Sequence, residues 1–175
     1  MNNDEELWET IPDFRDYAVS SFGRIYNRRR DSIMRSSLNN HGHAKISLIS
    51  DVDGKRHTKS VAQLVALAFV EAPTGLCDQV VVLDGDHRNT AAYNLAWRPA
   101  WFAWKYSRQL KTLQPAQFEN LTIRCVNNGA IYSSVVDAGM KEGLLFQDVW
   151  RSTFTRAEIF PGGLVFEVVR KSIGD

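Results

Sequence analysis

Cysteine is scarce. Cys77 and Cys125 are the only two in 175 residues, which excludes a disulfide framework and a zinc cage of paired CxxC motifs. They read as two reduced, partly buried thiols. No apolar run is long enough to span a bilayer. The opening MNNDEELWE is acidic and lacks the basic and apolar regions of a signal peptide, so a cytosolic location is expected. Excess charge is lacking too: a formal +1 does not by itself mark a nucleic-acid binder. What the chain does have is apolar content, 44%, enough to bury the core of one medium domain or two small ones.

The charges are unevenly spread. Residues 1–20 hold six acids against Arg15 alone, a balance of −5. Residues 21–60 hold nine cations (Arg24, Arg28, Arg29, Arg30, Arg35, Lys45, Lys55, Arg56, Lys59) against Asp31, Asp51 and Asp53, a balance of +6. Lys105, Arg108 and Lys111 form a second basic cluster. Two such stretches suit a surface that tracks phosphates, and equally a solvated strand face.

Periodicity orders the elements. YAVSSFGRIYNRR alternates around Phe22-Gly23, and Ala44 to Ser50 alternates before a turn at Asp53-Gly54, with Asn39-Asn40-His41-Gly42 as turn chemistry between strands. These predict a small antiparallel sheet with one wet face carrying the arginines. Val61, Leu64, Val65, Ala68 and Phe69 fall at helical spacing behind Ser60, a candidate N-cap, and Pro73-Thr74-Gly75 ends that helix. Val80 to Leu83 and Asn94 to Trp97 read as strands around Asp84-Gly85-Asp86, and Pro99 opens a helix running to about Leu110. Farther on, Asn128-Gly129 predicts a type I′ hairpin turn. Ser134 caps a short helix that Gly143 closes, Phe146 to Phe154 forms another, and Pro161-Gly162-Gly163 turns into a last strand, LVFEVV. No internal repeat relates the halves. The fold class is α+β: an N-terminal antiparallel sheet, a central ββα unit, and a small C-terminal helix-turn-helix with flanking strands.

This order of parts resembles the HNH homing endonucleases encoded by phages and introns. Glu6 to Asn27, ELWETIPDFRDYAVSSFGRIYN, resembles their NUMOD-like opening module, and KSVAQLVALAFV resembles the helix before their active site. VVVLDGDHRNTAAYNLAW matches the family's hairpin frame at Asp84, Gly85, Asn89, Asn94, Leu95 and Trp97. NNGAIYSSVVDAGMKEG followed by PGGLVFE resembles the C-terminal DNA-binding repeat. The resemblance implies a basic β module over 1–58, a degenerate HNH ββα core (a His-Me finger) over 59–110, a linker over 111–120 and a helix-turn-helix module over 121–175.

The family's chemistry is metal-assisted phosphodiester hydrolysis. A histidine on the first hairpin strand takes the proton of the attacking water, and a neighbouring acid or amide with a helix asparagine holds one divalent cation. Carried over by position, the metal-side residue is Val81, the base is Val82 and the helix asparagine is Ala103. None of these side chains can accept the proton or coordinate a hard cation. The resemblance therefore implies the scaffold without its magnesium or manganese. What persists has structural roles: Asp84 and Gly85 in the turn, Asn94 tying the loop, Trp97 packing the core. His87 lies five residues past Val82 and is the candidate for a relocated site, although the alignment puts it in the loop. His41-Gly42-His43 reads as turn chemistry and His57 as a strand residue.

For binding, the resemblance places Arg24, Arg28, Arg29, Arg30, Arg35 and Lys45 where the family's N-terminal sheet meets DNA, and Lys105 and Arg108 on the helix that approaches the minor groove. Trp101, Trp104 and Arg108 share a helix face and suit either stacking on bases or burial against the sheet. At the tail only Gln147, with Arg151 and Arg156 for phosphates, fits a recognition helix, whereas exposed Leu145 and Phe146 would suit a protein partner. Three readings stand: an inactive, phage-encoded, double-strand DNA-binding monomer acting in the cytoplasm of an infected bacterium; a protein-binding module of a larger assembly; and a nuclease with a non-standard metal site. No membrane partner is expected.

Overall fold

The computed structural model describes residues 5–71, 75–111 and 121–169. They fall into two compact units, 1–103 and 104–175. Both mix helices with antiparallel strands, as the α+β patterning predicts.

In the first unit, β1 (Trp8–Ile11), β2 (Phe14–Ser20), β3 (Ile25–Asn27) and β4 (Ser32–Met34) form a four-stranded antiparallel sheet in chain order. β5 (Ser37–Leu38), β6 (Ala44–Ile49) and β7 (Arg56–Ser60) form a second, of three strands. The expected single sheet is thus two. Alternation sends Tyr17, Val19 and Ile25 from one sheet, and Ala44, Ile46 and Leu48 from the other, into a shared core. The amide of Asp51 donates to the Asp13 carbonyl at 2.9 Å and fastens the two sheets together.

α1 (Val61–Phe69) follows β7 directly and turns Val61, Leu64 and Val65 onto the same core. Ser60 stands at its N-cap, but the hydroxyl makes no capping hydrogen bond, because Ser60 also ends β7, opposite Lys45. Of the expected stop at Pro73-Thr74-Gly75, only Gly75 lies within the described residues. β8 (Gln79–Val82) and β9 (Leu95–Arg98) pair as an antiparallel hairpin, and α2 (Ala100–Lys111) begins just after Pro99. The Trp97 indole N–H donates to the Val70 carbonyl at 3.3 Å, anchoring the hairpin to the end of α1.

The turn before β3 presses on the hairpin loop. Ser21 accepts a hydrogen bond from the amide of Ala92 at 2.8 Å. Gly23 has φ +84°, and a Cβ there would lie 2.1 Å from the Thr90 hydroxyl oxygen. Only glycine satisfies both conditions. The opening module and the ββα hairpin are thereby built around one core.

The division between units falls inside α2. Its later residues Tyr106, Gln109 and Leu110 belong to the second unit, with Tyr106 fully buried. β10 (Ile123–Cys125), β11 (Ile131–Tyr132) and β12 (Phe166–Val168) form a sheet in the order β11-β10-β12. α3 (Val135–Glu142) and α4 (Phe146–Thr155) lie between its last two strands in sequence. The Ser134 hydroxyl caps α3 by accepting the Asp137 amide at 3.0 Å, and left-handed Gly143 closes it. The β10–β11 turn is not type I′. Only Gly129 is left-handed, Asn128 is not, and four residues, Val126 to Gly129, lie inside the hydrogen bond from the Cys125 amide to the Ala130 carbonyl. The expected linker at 111–120 lies outside the described residues apart from Lys111, which ends α2.

Candidate nucleic-acid interface

The hairpin loop is closed by its own polar side chains. Asn94 is buried. Its Oδ1 accepts the Asp84 amide at 3.1 Å, and its Nδ2 donates to the Asn89 carbonyl at 2.9 Å. Asp84 in turn accepts the Asp86 amide at 2.8 Å and the Asn89 side-chain amide at 2.7 Å, while Gly85 takes φ +77°. Every group in this network is occupied in holding the turn.

The strand beneath offers no chemistry. Val82 is 7% exposed and faces the shared core with Leu95 and Trp97. Val81 is buried as well and, by alternation, projects to the opposite face of the hairpin. Ala103 lies in the first turn of α2. Two isopropyl groups and a methyl group supply no oxygen or nitrogen, so the positions do not fit a divalent cation. His87 lies in the loop with its ring stacked on that of His43, centroids 4.0 Å apart. Asn39 Oδ1 accepts the amides of both His41 and His43, and Gly42 is left-handed, so the HxH run belongs to a turn. His57 pairs with Asp53 at 2.9 Å on β7. Among the described residues no group of three or more His, Cys, Asp or Glu is placed to hold a metal ion.

The basic stretch is arranged differently from the expected wet strand face. Arg28, Arg29 and Arg30 occupy the turn between β3 and β4, and Arg24 precedes β3. Between the two N-terminal sheets runs a groove of about 770 Å³, bordered by Arg29, Arg30, Arg35, Lys45 and Arg56 and by the carboxylates of Asp16 and Asp51. Five cations against two acids leave it positive. Arg30, Arg35, Lys45 and Arg56 form no ion pair among the described residues. Arg29 does, through Nε to Asp16 Oδ2 at 2.6 Å. Several polar groups of the groove wall are engaged internally. Asn27 Oδ1 accepts the Arg30 amide, the Ser50 hydroxyl accepts the Val52 amide, and Ser47 bonds Thr58.

Arg24 and Arg28 do not line this groove. The Arg24 guanidinium pairs with Glu6, donating from Nε to Oε1 at 2.7 Å, and lies over the Trp8 ring. Arg28 donates to the Thr10 hydroxyl at 2.7 Å. Arg56 was not a candidate from the sequence. Its signal was the phase of β7, in which Arg56 pairs with Ile49 across the Asp53-Gly54 turn.

On α2, Trp101 and Trp104 are both exposed, so burial against the sheet is not their role. Lys105 and Arg108 are exposed too, with Arg108 over the Trp104 ring at 5.2 Å. On α4, Gln147 is exposed, while Arg151 pairs with Asp148 at 2.6 Å. Phe146 requires a correction. It is 2% exposed and not a surface anchor, because its ring fills the space over Gly139, where a Cβ would come within 2.4 Å of it. Its amide donates to Gln109 Oε1 at 2.9 Å, and Leu145 is only partly exposed at the helix N-cap.

Comparison with known proteins agrees with this geometry. Residues 6–49 match the NUMOD4 motif. A solved structure titled "DNA binding and cleavage by the HNH homing endonuclease I-HmuI" is similar over 94% of this chain and 99% of that one, with 23% identity and a TM-score of 0.52. Among curated proteins nothing matches. The chain has the HNH homing-endonuclease fold, opened by a NUMOD4 motif.

Proposed function

We propose that this protein binds double-stranded DNA through the basic groove of its first unit and does not hydrolyse it. The observation that carries this is the pairing of its cations. Arg30, Arg35, Lys45 and Arg56 border a concave surface and, among the described residues, pair with no carboxylate. Within residues 121–169, by contrast, Arg124 and Arg156 both pair with Glu167, Lys141 with Asp137, and Arg151 with Asp148. Unpaired cations release counterions from the DNA backbone when they neutralise phosphates, whereas paired ones must first give up a partner. The likeness to a protein whose title records DNA binding and cleavage supports the binding half. The residues Val81, Val82 and Ala103 argue against the cleavage half, since the family's divalent cation has no ligands there. Encoding by a phage, and action as a monomer in the infected cell, belong to the same proposal through the resemblance.

A second reading, docking on a protein, is favoured only for the second unit. Phe154 on α4 is 64% exposed and is propped edge-to-face by Trp150, centroids 4.8 Å apart, on a helix whose Arg151 is paired with Asp148. Apolar anchors of this kind carry interface energy. Titration of the full chain against duplex DNA across a salt series, with supercoiled plasmid incubated in magnesium or manganese, tests the proposal. Salt-dependent binding without nicking is expected. Absence of binding at low salt would leave protein docking as the better account.

A further inference from the structure

We infer that Asp16 sets the affinity of the basic groove by holding Arg29 away from phosphate. Asp16 lies on β2, while Arg29 lies in the β3–β4 turn, brought alongside by the pairing of Tyr17 with Asn27. The turn is anchored there, because the amide of Arg28 donates to the Asp16 carbonyl at 2.8 Å. Asp16 Oδ2 then meets Arg29 Nε at 2.6 Å, and both residues border the groove. The other carboxylate at the groove, Asp51, is spent on the backbone amide of Arg15 and does not face a groove cation as a partner. Asp16 is therefore the acid that competes with a ligand for one of five cations.

The pair is open to that competition. The Arg29 side chain is 77% exposed, and exposed ion pairs are weak enough that removing Asp16 frees the guanidinium for a phosphate at little cost to the fold. Because Asn27 Oδ1 and the Ser47 and Ser50 hydroxyls are already bonded within the protein, charge is the main thing the groove offers. The ligand class is then a phosphodiester backbone irrespective of base sequence. Asp16 can act in this way only if the groove is the DNA-binding face proposed above.

A double-mutant cycle on the full chain separates the possibilities, using a labelled duplex of mixed sequence and a salt series. Asp16→Asn is expected to tighten binding roughly two- to fivefold, the range that an exposed ion pair allows. It should also steepen the log–log salt slope by about one, as Arg29 adds a phosphate contact. Arg29→Ala alone should change little, and in that background Asp16→Asn should lose its effect. Equal tightening in both backgrounds would mean that Asp16 merely repels phosphate at a distance, which overturns the inference. So would an unchanged affinity in Asp16→Asn. Binding by Asp16→Asn but not by the native chain would uphold Asp16 while contradicting native DNA binding, and binding by no variant would remove both. Asp16→Ser serves as a second variant, and matched melting midpoints exclude a folding effect.

Discussion

Val82 lies directly opposite Leu95 in the β8–β9 hairpin, and both side chains are packed into the core that the two N-terminal sheets share. The position to which the resemblance would assign a proton-accepting histidine is here a piece of hydrophobic packing. Restoring the pattern therefore has a structural cost. Val82→His should destabilise the chain by roughly 1–3 kcal/mol, the penalty for burying a polar group without a partner. Urea unfolding would measure this, and an unchanged midpoint would show that the position is more accessible than its packing indicates. The native chain should not nick supercoiled plasmid with magnesium or manganese. Nicking that disappears in His87→Ala would place the chemistry in the hairpin loop instead.

The groove cations should act as a group. Replacing Arg30, Arg35 and Lys45 with Gln should weaken DNA binding about equally on all sequences and lower the salt slope by roughly one per lost phosphate contact. Arg24→Gln should do much less, since Arg24 is already paired with Glu6. A larger loss from Arg24→Gln than from the triple change would shift the interface to the β1 side of the sheet.

The α4 helix separates core from surface. Phe146→Ala should cost roughly 3–5 kcal/mol of stability, as for other large-to-small changes in a packed core. Phe154→Ser should leave the melting midpoint nearly unchanged. If α4 docks on a protein, Phe154→Ser should lose capture of a host partner while DNA affinity stays constant. If instead α4 reads bases, Gln147→Ala should relax sequence preference by roughly 1–3 kcal/mol, and Phe154→Ser should not.

The second unit should be acid-sensitive. Arg156, then Arg124, holds the Glu167 carboxyl below its ordinary range. Burial pushes Asp137 upward, but hydrogen bonds from Lys141 and Ser133 outweigh it and leave that carboxyl lowered as well. A carboxyl depressed in the folded state binds fewer protons than in the unfolded chain. Its stabilisation is therefore complete above the unfolded value and fades as pH falls through the folded one. Stability should decline below about pH 4. Glu167→Gln should flatten that decline, and an identical pH profile would show that the two arginines contribute nothing through it. At the alkaline end burial, followed by the hydrogen bond to Glu142, raises the Tyr132 phenol. Stability should then fall again as pH rises through the range where free tyrosine ionises, about pH 10.

Local preference was enough to place many of the elements, though not their division into sheets. Period-two runs made β2 and β6, a helical stripe made α1, and Ser134 with Gly143 bounded α3, because caps, turns and alternation depend on residues only a few positions apart. The hairpin frame was legible in the same way, since Asp84, Asn89 and Asn94 bond within one short loop. Availability was not legible. Arg24 and Arg30 belong to one basic run, yet Glu6, eighteen residues earlier, claims the first, and among the described residues no acid claims the second. Phe146 looked like an exposed anchor on a polar helix until Gly139 and Gln109, the latter thirty-seven residues away in sequence, enclosed it. A side chain's type and local period state what it can do. Whether its charge is already neutralised or its surface already covered depends on long-range neighbours, and only the tertiary structure brings those together.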